Sequence, residues 1–398
     1  MSTTTTGPLR TIVLVEPLCR GSRLQIVANA LAAMRGRANV ILITRRDYRS
    51  DHFNELVTSV GLEPRIITVD TDLGGAWMKN LSRTEFNAFF LTLRALEMEL
   101  APNGTYDLVF MALDDYLIAF STFAVSLKSA LRNANVICVK YRVEYLFALS
   151  RGFRTRGIAL RLMTRWSLYA AGAKLICFDE RLAALKPSYL GGLLPDPWFG
   201  LFSPVHREEG RLLLGVNSSD FVLLALGKQD RRKGIDFLID VFPSIATNPR
   251  VKLAVVGAIA APFEVMFLAL KERFPQQIVH VNKFVSEEHL PKYFSAPDVF
   301  LMPYSEDFTA TSGTLARASA SGVSVLATAH GLVGHRIRQY ELGETFEAYN
   351  RKSFAEALQT LMLRTSDQQC TSCVERLKFT EMCSLPKFES ALCSALAI

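Results

Sequence analysis

Residues 221–257 read FVLLALGKQDRRKGIDFLIDVFPSIATNPRVKLAVVG, and this stretch decides the fold. Phe221–Leu226 is an unbroken apolar run closed by a glycine, which predicts a short strand buried on both faces. Asp236–Ile245 spaces its apolar residues as a helix does, and Lys252–Val256 is again strand-like. Strand, helix and strand in this order form a βαβ unit, and such units require a parallel sheet covered by helices.

Toward the C-terminus the alternation continues with helix Glu264–Arg273, strand Ile278–Val281, helix Glu287–Phe294, strand Val299–Met302, helix Thr314–Ala320 and strand Ser324–Ala327. Toward the N-terminus it breaks at Leu194-Pro195-Asp196-Pro197, where prolines deny helix to the residues before them. It resumes upstream with strands Thr11–Val15, Val40–Ile43, Arg65–Val69, Leu108–Ala112, Val136–Val139 and Lys174–Phe178, alternating with helices Leu24–Met34, Phe86–Leu100, Leu117–Leu131 and Ile158–Ala170. The expected fold is therefore α/β, with two Rossmann-like, doubly wound parallel-sheet domains facing across a cleft. Their bounds are residues 1–196 and 197–375, with a C-terminal helix of about 376–398 packing back on the first. Ligands of such sheets bind beyond the carboxyl ends of the strands.

The 398 residues are 49% hydrophobic and 21% charged, which excludes a disordered chain. No apolar run reaches the roughly 18 residues of a membrane-crossing helix. Thr11–Val15 is cut at Glu16, too short for a secretory core. The expectation is a cytoplasmic protein, at most peripheral at the inner face of the plasma membrane. The seven cysteines fit a reducing compartment. Cys370, Cys373, Cys383 and Cys393 crowd the tail in the number a structural zinc site needs, but neither a second Cys-x-x-Cys nor a histidine accompanies them, so free thiols are expected.

Two places carry chemistry. The turn Gly227-Lys228-Gln229-Asp230-Arg231-Arg232-Lys233-Gly234 sets cations where a strand hands over to a helix, so that Lys228 and Lys233 can hold a diphosphate; a charged turn is also an ordinary solvated loop. Farther on, Pro303-Tyr304-Ser305-Glu306-Asp307-Phe308 leads to Thr311-Ser312-Gly313-Thr314 at a helix start, where free N–H groups and the helix dipole favour an anion unless Ser312 is simply a cap.

Residues from Leu223 to about Phe354 resemble the donor domain of group 1 (family 4) retaining glycosyltransferases, which have the GT-B architecture. Four landmarks carry the resemblance in order: Gly227-Lys228 with Lys233-Gly234; the strand Lys252–Gly257; VSEEHLPKYFSAPDVFLM at 285–302; and Gly322-Val323-Ser324-Val325-Leu326-Ala327-Thr328. The resemblance implies a nucleoside-diphosphate sugar as donor, its diphosphate held by Lys228, Lys233 and the helix start at Ser312, Gly313 and Thr314. It implies a carbohydrate or lipid-linked acceptor, no metal and no cofactor, and a leaving phosphate that takes the acceptor's proton. Glu306 fits the position that holds sugar hydroxyls. Where the family has a second glutamate for the ribose this chain has Arg317, which cannot accept a hydrogen bond, so Arg317 takes a phosphate or faces elsewhere.

The first domain resembles the family only in outline. Gly21 stands in the loop after the first strand, and Lys140-Tyr141-Arg142 stands where many relatives have a histidine. Tyr141 and Arg142 are acceptor-side candidates, as is Asp114 of the pair Asp114-Asp115, which also reads as a helix-start carboxylate. Asp70 and Asp72 follow a strand as metal-binding aspartates do, but strand ends commonly carry them. His330 and His335 read as solvent-facing loop histidines.

The formal charge of +7 is uneven: residues 1–200 hold 24 Lys and Arg against 17 acids, and residues 201–398 hold 21 of each. Six arginines lie between Arg142 and Arg165 with one acid, Glu144, interleaved with Leu146, Phe147, Phe153, Ile158, Leu160, Leu162, Met163 and Trp166. Such a stretch suits an anionic membrane or a lipid diphosphate, or covers the core with snorkelling arginines; no nucleic-acid recognition motif accompanies it. The rival functions are a catalytically inactive GT-B relative that binds a glycan or a partner glycosyltransferase, and a sugar-nucleotide epimerase or phosphorylase.

Overall fold

The computed structural model describes residues 9–19, 22–48, 51–70, 83–148, 154–198, 202–283, 285–363 and 374–398. The chain divides into two units, residues 1–195 with 386–398 and residues 196–385. In chain order the first unit holds β1 (Arg10–Val15), α1 (Ser22–Met34), β2 (Ala38–Arg45), α2 (Asp51–Ser59), β3 (Arg65–Val69), α3 (Arg83–Leu100), β4 (Tyr106–Phe110), α4 (Leu117–Ala130), β5 (Ala134–Lys140), α5 (Arg154–Ala171), β6 (Lys174–Cys177), α6 (Glu180–Ala184) and β7 (Leu190–Leu193). The second holds α7 (Pro204–Leu214), β8 (Phe221–Leu226), α8 (Ile235–Ile245), β9 (Val251–Val256), α9 (Ala261–Arg273), β10 (Ile278–Val281), α10 (Leu290–Ser295), β11 (Val299–Met302), α11 (Gly313–Ala320), β12 (Ser324–Thr328), α12 (Gly331–Gln339), β13 (Gly343–Phe346), α13 (Arg351–Leu363) and α14 (Val374–Met382). The last helix is α15 (Leu385–Leu396).

The first sheet has the order β3-β2-β1-β4-β5-β6-β7 and the second β10-β9-β8-β11-β12-β13, with parallel neighbours throughout. Each order reverses once, beside β1 and beside β8, and these switch points open a crevice at the carboxyl ends of the strands. The middle strands are apolar on both faces because both faces are covered: Ile12 to Val15 and Val222 to Ala225 are all nearly inaccessible. In the first unit Phe86, Phe110, Tyr116 and Phe120 form one ring cluster between sheet and helices. In the second, Phe237, Phe346 and Phe354 pack on one face of the sheet and Phe294 and Phe300 on the other.

The tail departs from the single helix expected over 376–398. Pro386 cannot donate a backbone hydrogen bond and so sits in the first turn of a new helix, and the chain bends before it. α14 stays with the second unit, burying Phe379 and Cys383 in its core, while Trp198 donates to the carbonyls of Thr380 and Cys383 and joins the start of that unit to its end. α15 belongs to the first unit, where the Cys393 thiol lies 2.9 Å from Arg37 Nη1 and 3.5 Å from the Ala33 carbonyl. Helix α10 is also shorter than read from the sequence, starting at Leu290 and not at Glu287.

Candidate functional site

At the switch point of the second sheet three loops meet. After β8 the chain turns at Gly227 (φ +94°), and Asp230 caps the next turn by accepting the Lys233 N–H at 3.0 Å. That turn ends at Gly234 (φ +74°), where a Cβ would lie 1.8 Å from the Pro303 carbonyl oxygen, so only glycine lets α8 begin against the loop after β11. The Ser305 N–H donates to the Arg232 carbonyl at 3.1 Å, and the Arg232 guanidinium lies 5.1 Å from the Phe308 ring centroid.

This packing folds Lys233 inward. Its ammonium donates to the Leu226 carbonyl at 3.1 Å and stands 5.9 Å from the Tyr304 ring centroid. An ammonium has three donors, and the Leu226 carbonyl takes one of them. The Tyr304 hydroxyl in turn lies 3.2 Å from Ser312 Oγ. Ser312 occupies the N-cap position of α11, but its side chain bonds Tyr304 and caps no backbone N–H. A Cβ on Gly313 would meet nothing within 4 Å, so the space before this helix start is open. A half-buried cation and the positive end of a helix thus flank one tyrosine, an arrangement suited to a doubly charged anion.

Of the residues singled out in the sequence, Gly227, Lys233, Ser312 and Gly313 come together here, with half-buried Thr314 in the first turn of α11. Lys228 and Glu306 are exposed in the two flanking loops. Arg317 pairs with Glu287, its Nη2 donating to both carboxylate oxygens at 3.0 and 3.2 Å. His330 and His335 are not solvent-facing loop residues but sit half-buried at the start of α12 and within it, and His330 Nε2 lies 2.8 Å from the Ser305 carbonyl oxygen. Tyr304, which links the cation to the helix start, was visible only as part of a loop motif. Its partners lie on other segments, which no local pattern shows.

Behind the loop Arg336 is buried, with Nη1 2.9 Å from Thr311 Oγ1 and 3.6 Å from the Asp196 carboxylate. Thr311 also bonds Asp196, and the guanidinium lies 5.6 Å from the Phe379 ring centroid. These contacts seat the residue that precedes Ser312.

The carboxyl ends of the first sheet hold a second polar group. Asp114 is buried and its carboxylate is fully engaged, receiving Lys140 Nζ at 2.8 Å and the N–H groups of Tyr141 and Arg142 at 2.6 and 3.2 Å. Burial alone would raise its pKa, but the neighbouring charges of Lys140 and Arg142 outweigh it and hold the carboxyl below its ordinary range. Asp114 therefore shapes the end of β5, while the Tyr141 ring stacks on Phe178 at 4.8 Å and Arg142 is exposed. Gly21, Asp72, Cys370 and Cys373 lie outside the described residues, and Asp70 pairs with Arg46 at 2.9 Å.

Sequence reading missed Glu16 at the end of β1. It is buried, accepts the Leu18 N–H at 3.0 Å and lies 3.6 Å from Arg23, which also pairs with Asp115; Glu16 Oε2 has no partner among the described residues. Burial pushes its pKa up to about 7, against the pull of Arg23. The folded state therefore binds this proton more tightly than the unfolded chain does. The associated stability is fully present below the ordinary carboxylate range and is lost as pH rises to about 7. Glu16→Gln is expected to remove this slope, so that between pH 5 and pH 8 the parent loses about 2–3 kcal/mol more than the variant in urea unfolding. Equal pH dependence in the two proteins would show that the buried carboxyl does not titrate in this window.

Residues 207–376 match the profile of the family described as glycosyl transferases group 1. The chain is similar to D-inositol 3-phosphate glycosyltransferase of Arthrobacter sp. (strain FB24), 29% identical over 168 residues, which are 40% of this chain and 39% of that protein. It is similar also to mannosylfructose-phosphate synthase of Agrobacterium fabrum, 35% identical over 118 residues, 28% of this chain and 26% of that protein. The chain thus aligns with well under half the length of either relative. In three dimensions it resembles the Anabaena protein HepE, solved in complex with UDP, with a TM-score of 0.70 at 14% identity over 98% of this chain and 100% of that one. The match to the group 1 glycosyl transferases thus falls within the second unit, over residues 207–376, and the chain as a whole has the GT-B fold.

Proposed function

We propose that this protein moves a sugar from a nucleoside-diphosphate sugar to a carbohydrate or lipid-linked acceptor, with retained anomeric configuration and without a metal. The observation that carries this reading is the meeting of the Lys233 ammonium, Tyr304 and the uncapped start of α11 at the switch point of the second sheet. When the glycosidic bond breaks, charge accumulates on the leaving diphosphate. Donors fixed before the reaction stabilise that charge more than they stabilise the bound donor, and so lower the barrier. The departing phosphate oxygen then takes the acceptor's proton, which leaves no task for a dedicated base. Exposed Glu306, in the loop that begins at Pro303, is assigned to the sugar hydroxyls. The stacked Tyr141 and the exposed Arg142 are assigned to the acceptor side. The UDP bound to HepE and the profile match over residues 207–376 support a nucleotide donor.

Calorimetry with UDP-, GDP- and ADP-sugars is expected to show roughly millimolar or tighter binding of one donor. Proton NMR of the product with a suitable acceptor should show the anomeric configuration of the donor, and EDTA should leave turnover unchanged. Binding of none of the donors overturns the reading. Conversion of the donor without any acceptor would assign the site to epimerisation, and binding without turnover to a non-catalytic relative.

A further inference from the structure

Helix α5 is apolar on both sides, whereas a surface helix is apolar only toward the core. Its inward side carries the core residues Leu168 and Ala171, with Leu160 and Met163 packed against them. Buried Thr164 and Ser167 lie there too, the Thr164 hydroxyl 2.9 Å from Tyr145 OH and the Ser167 hydroxyl donating to the Met163 carbonyl at 2.6 Å. Its outward side carries Ile158, Leu162, Trp166 and Tyr169, exposed by 41, 62, 51 and 85%. A spacing of four, four and three residues puts them on one stripe about 16 Å long. Helix α4, packed beside α5, adds Ile118 and Val125, 65 and 62% exposed. An ordinary solvated face is polar instead.

On these two helices the charge has one sign. Helices α4 and α5 contain no aspartate or glutamate, while Arg156 and Arg165 flank the stripe and Lys128 lies on α4, all exposed. The whole formal excess of seven positive charges falls in residues 1–200. Apolar side chains with a tryptophan and a tyrosine, bordered by arginines, match the layered chemistry of a bilayer surface: acyl chains below, headgroups at the level of the rings, phosphates at the rim.

We propose that the outward face of α4 and α5 docks on an anionic lipid bilayer. The inference does not depend on sugar transfer, and its test reads no activity. The intact protein is floated with vesicles of phosphatidylcholine alone and with about a third phosphatidylglycerol, while tryptophan emission is followed. Binding to the anionic vesicles with a blue shift is expected, weakened by salt well above physiological strength. L162S with W166S should lower the partition at least about tenfold, and R156Q with R165Q should abolish the preference for anionic lipid. All four positions are outside the core, so circular dichroism and Tm should stay at parent values. No binding by the parent, equal binding to both vesicles, or unchanged binding by L162S with W166S overturns the proposal. So does concentration-dependent dimerisation, removed by the same pair without vesicle binding, which would give the face to a second copy of the chain.

Discussion

Alanine at Lys233 is expected to lower kcat/KM for the donor sugar by two to three orders of magnitude, about 3–4 kcal/mol of lost transition-state stabilisation. The ammonium is held by the Leu226 carbonyl at 3.1 Å beside the Tyr304 ring, so it needs no rearrangement to meet a diphosphate. Its half-buried position also shields it from the screening that weakens an exposed charge. If the charge acts chiefly on the leaving group, the loss falls on kcat; a loss confined to KM would mean that it only anchors the donor. Lys233→Met keeps most of the apolar stem and is expected to behave like alanine, which separates charge from packing. Exposed Lys228 should matter less, and its alanine variant should stay within about tenfold of the parent. An unchanged kcat/KM in Lys233→Ala would remove this residue from the site.

Arg336→Ala is expected to destabilise the second unit by about 3–5 kcal/mol, a drop in Tm on the order of 10 °C. The Arg336 side chain is 2% exposed and that of Asp196 5%, at a separation of 3.6 Å. Removing the guanidinium deprives a buried carboxylate of this countercharge, leaves Thr311 Oγ1 without its 2.9 Å donor and opens a hole beside Phe379. Pairing Arg336→Met with Asp196→Asn should recover much of the loss, because the cost lies in an uncompensated charge and not in the absence of an ion pair. Thr311 directly precedes Ser312, so the single variant should also weaken donor binding at temperatures where the unit remains folded. A single variant within about 1 kcal/mol of the parent would show that Asp196 is neutralised by other means.

Much of the fold is legible in local pattern. Runs such as Val222 to Ala225 must be buried on both faces wherever they pack, and glycine-ended turns after them must lie at the carboxyl ends of a parallel sheet. Lys233 and Ser312 are legible for the same reason, since each stands at the junction of a strand-end loop and a helix. Arg317 shows the limit: its place on α11 is plain, but the partner that claims it, Glu287, comes from the loop before α10. The tail shows another, because the apolar faces of α14 and α15 do not name the unit each packs on; Trp198 ties α14 to the second unit, and the chain passes to the first at Pro386.

The amino-acid order alone determined two parallel α/β units, the strand ends where chemistry belongs, and an excess of positive charge in the first half, because periodicity and charge are properties of neighbouring residues. The tertiary structure decided that Tyr304 joins Lys233 to Ser312, that Arg336 and Asp196 brace the loop beneath them, that Glu16 is buried with a carboxyl near neutrality, and that α5 turns its aromatic side outward. Each of these depends on which distant segments meet and which are left to solvent, and both are settled only when the whole chain packs.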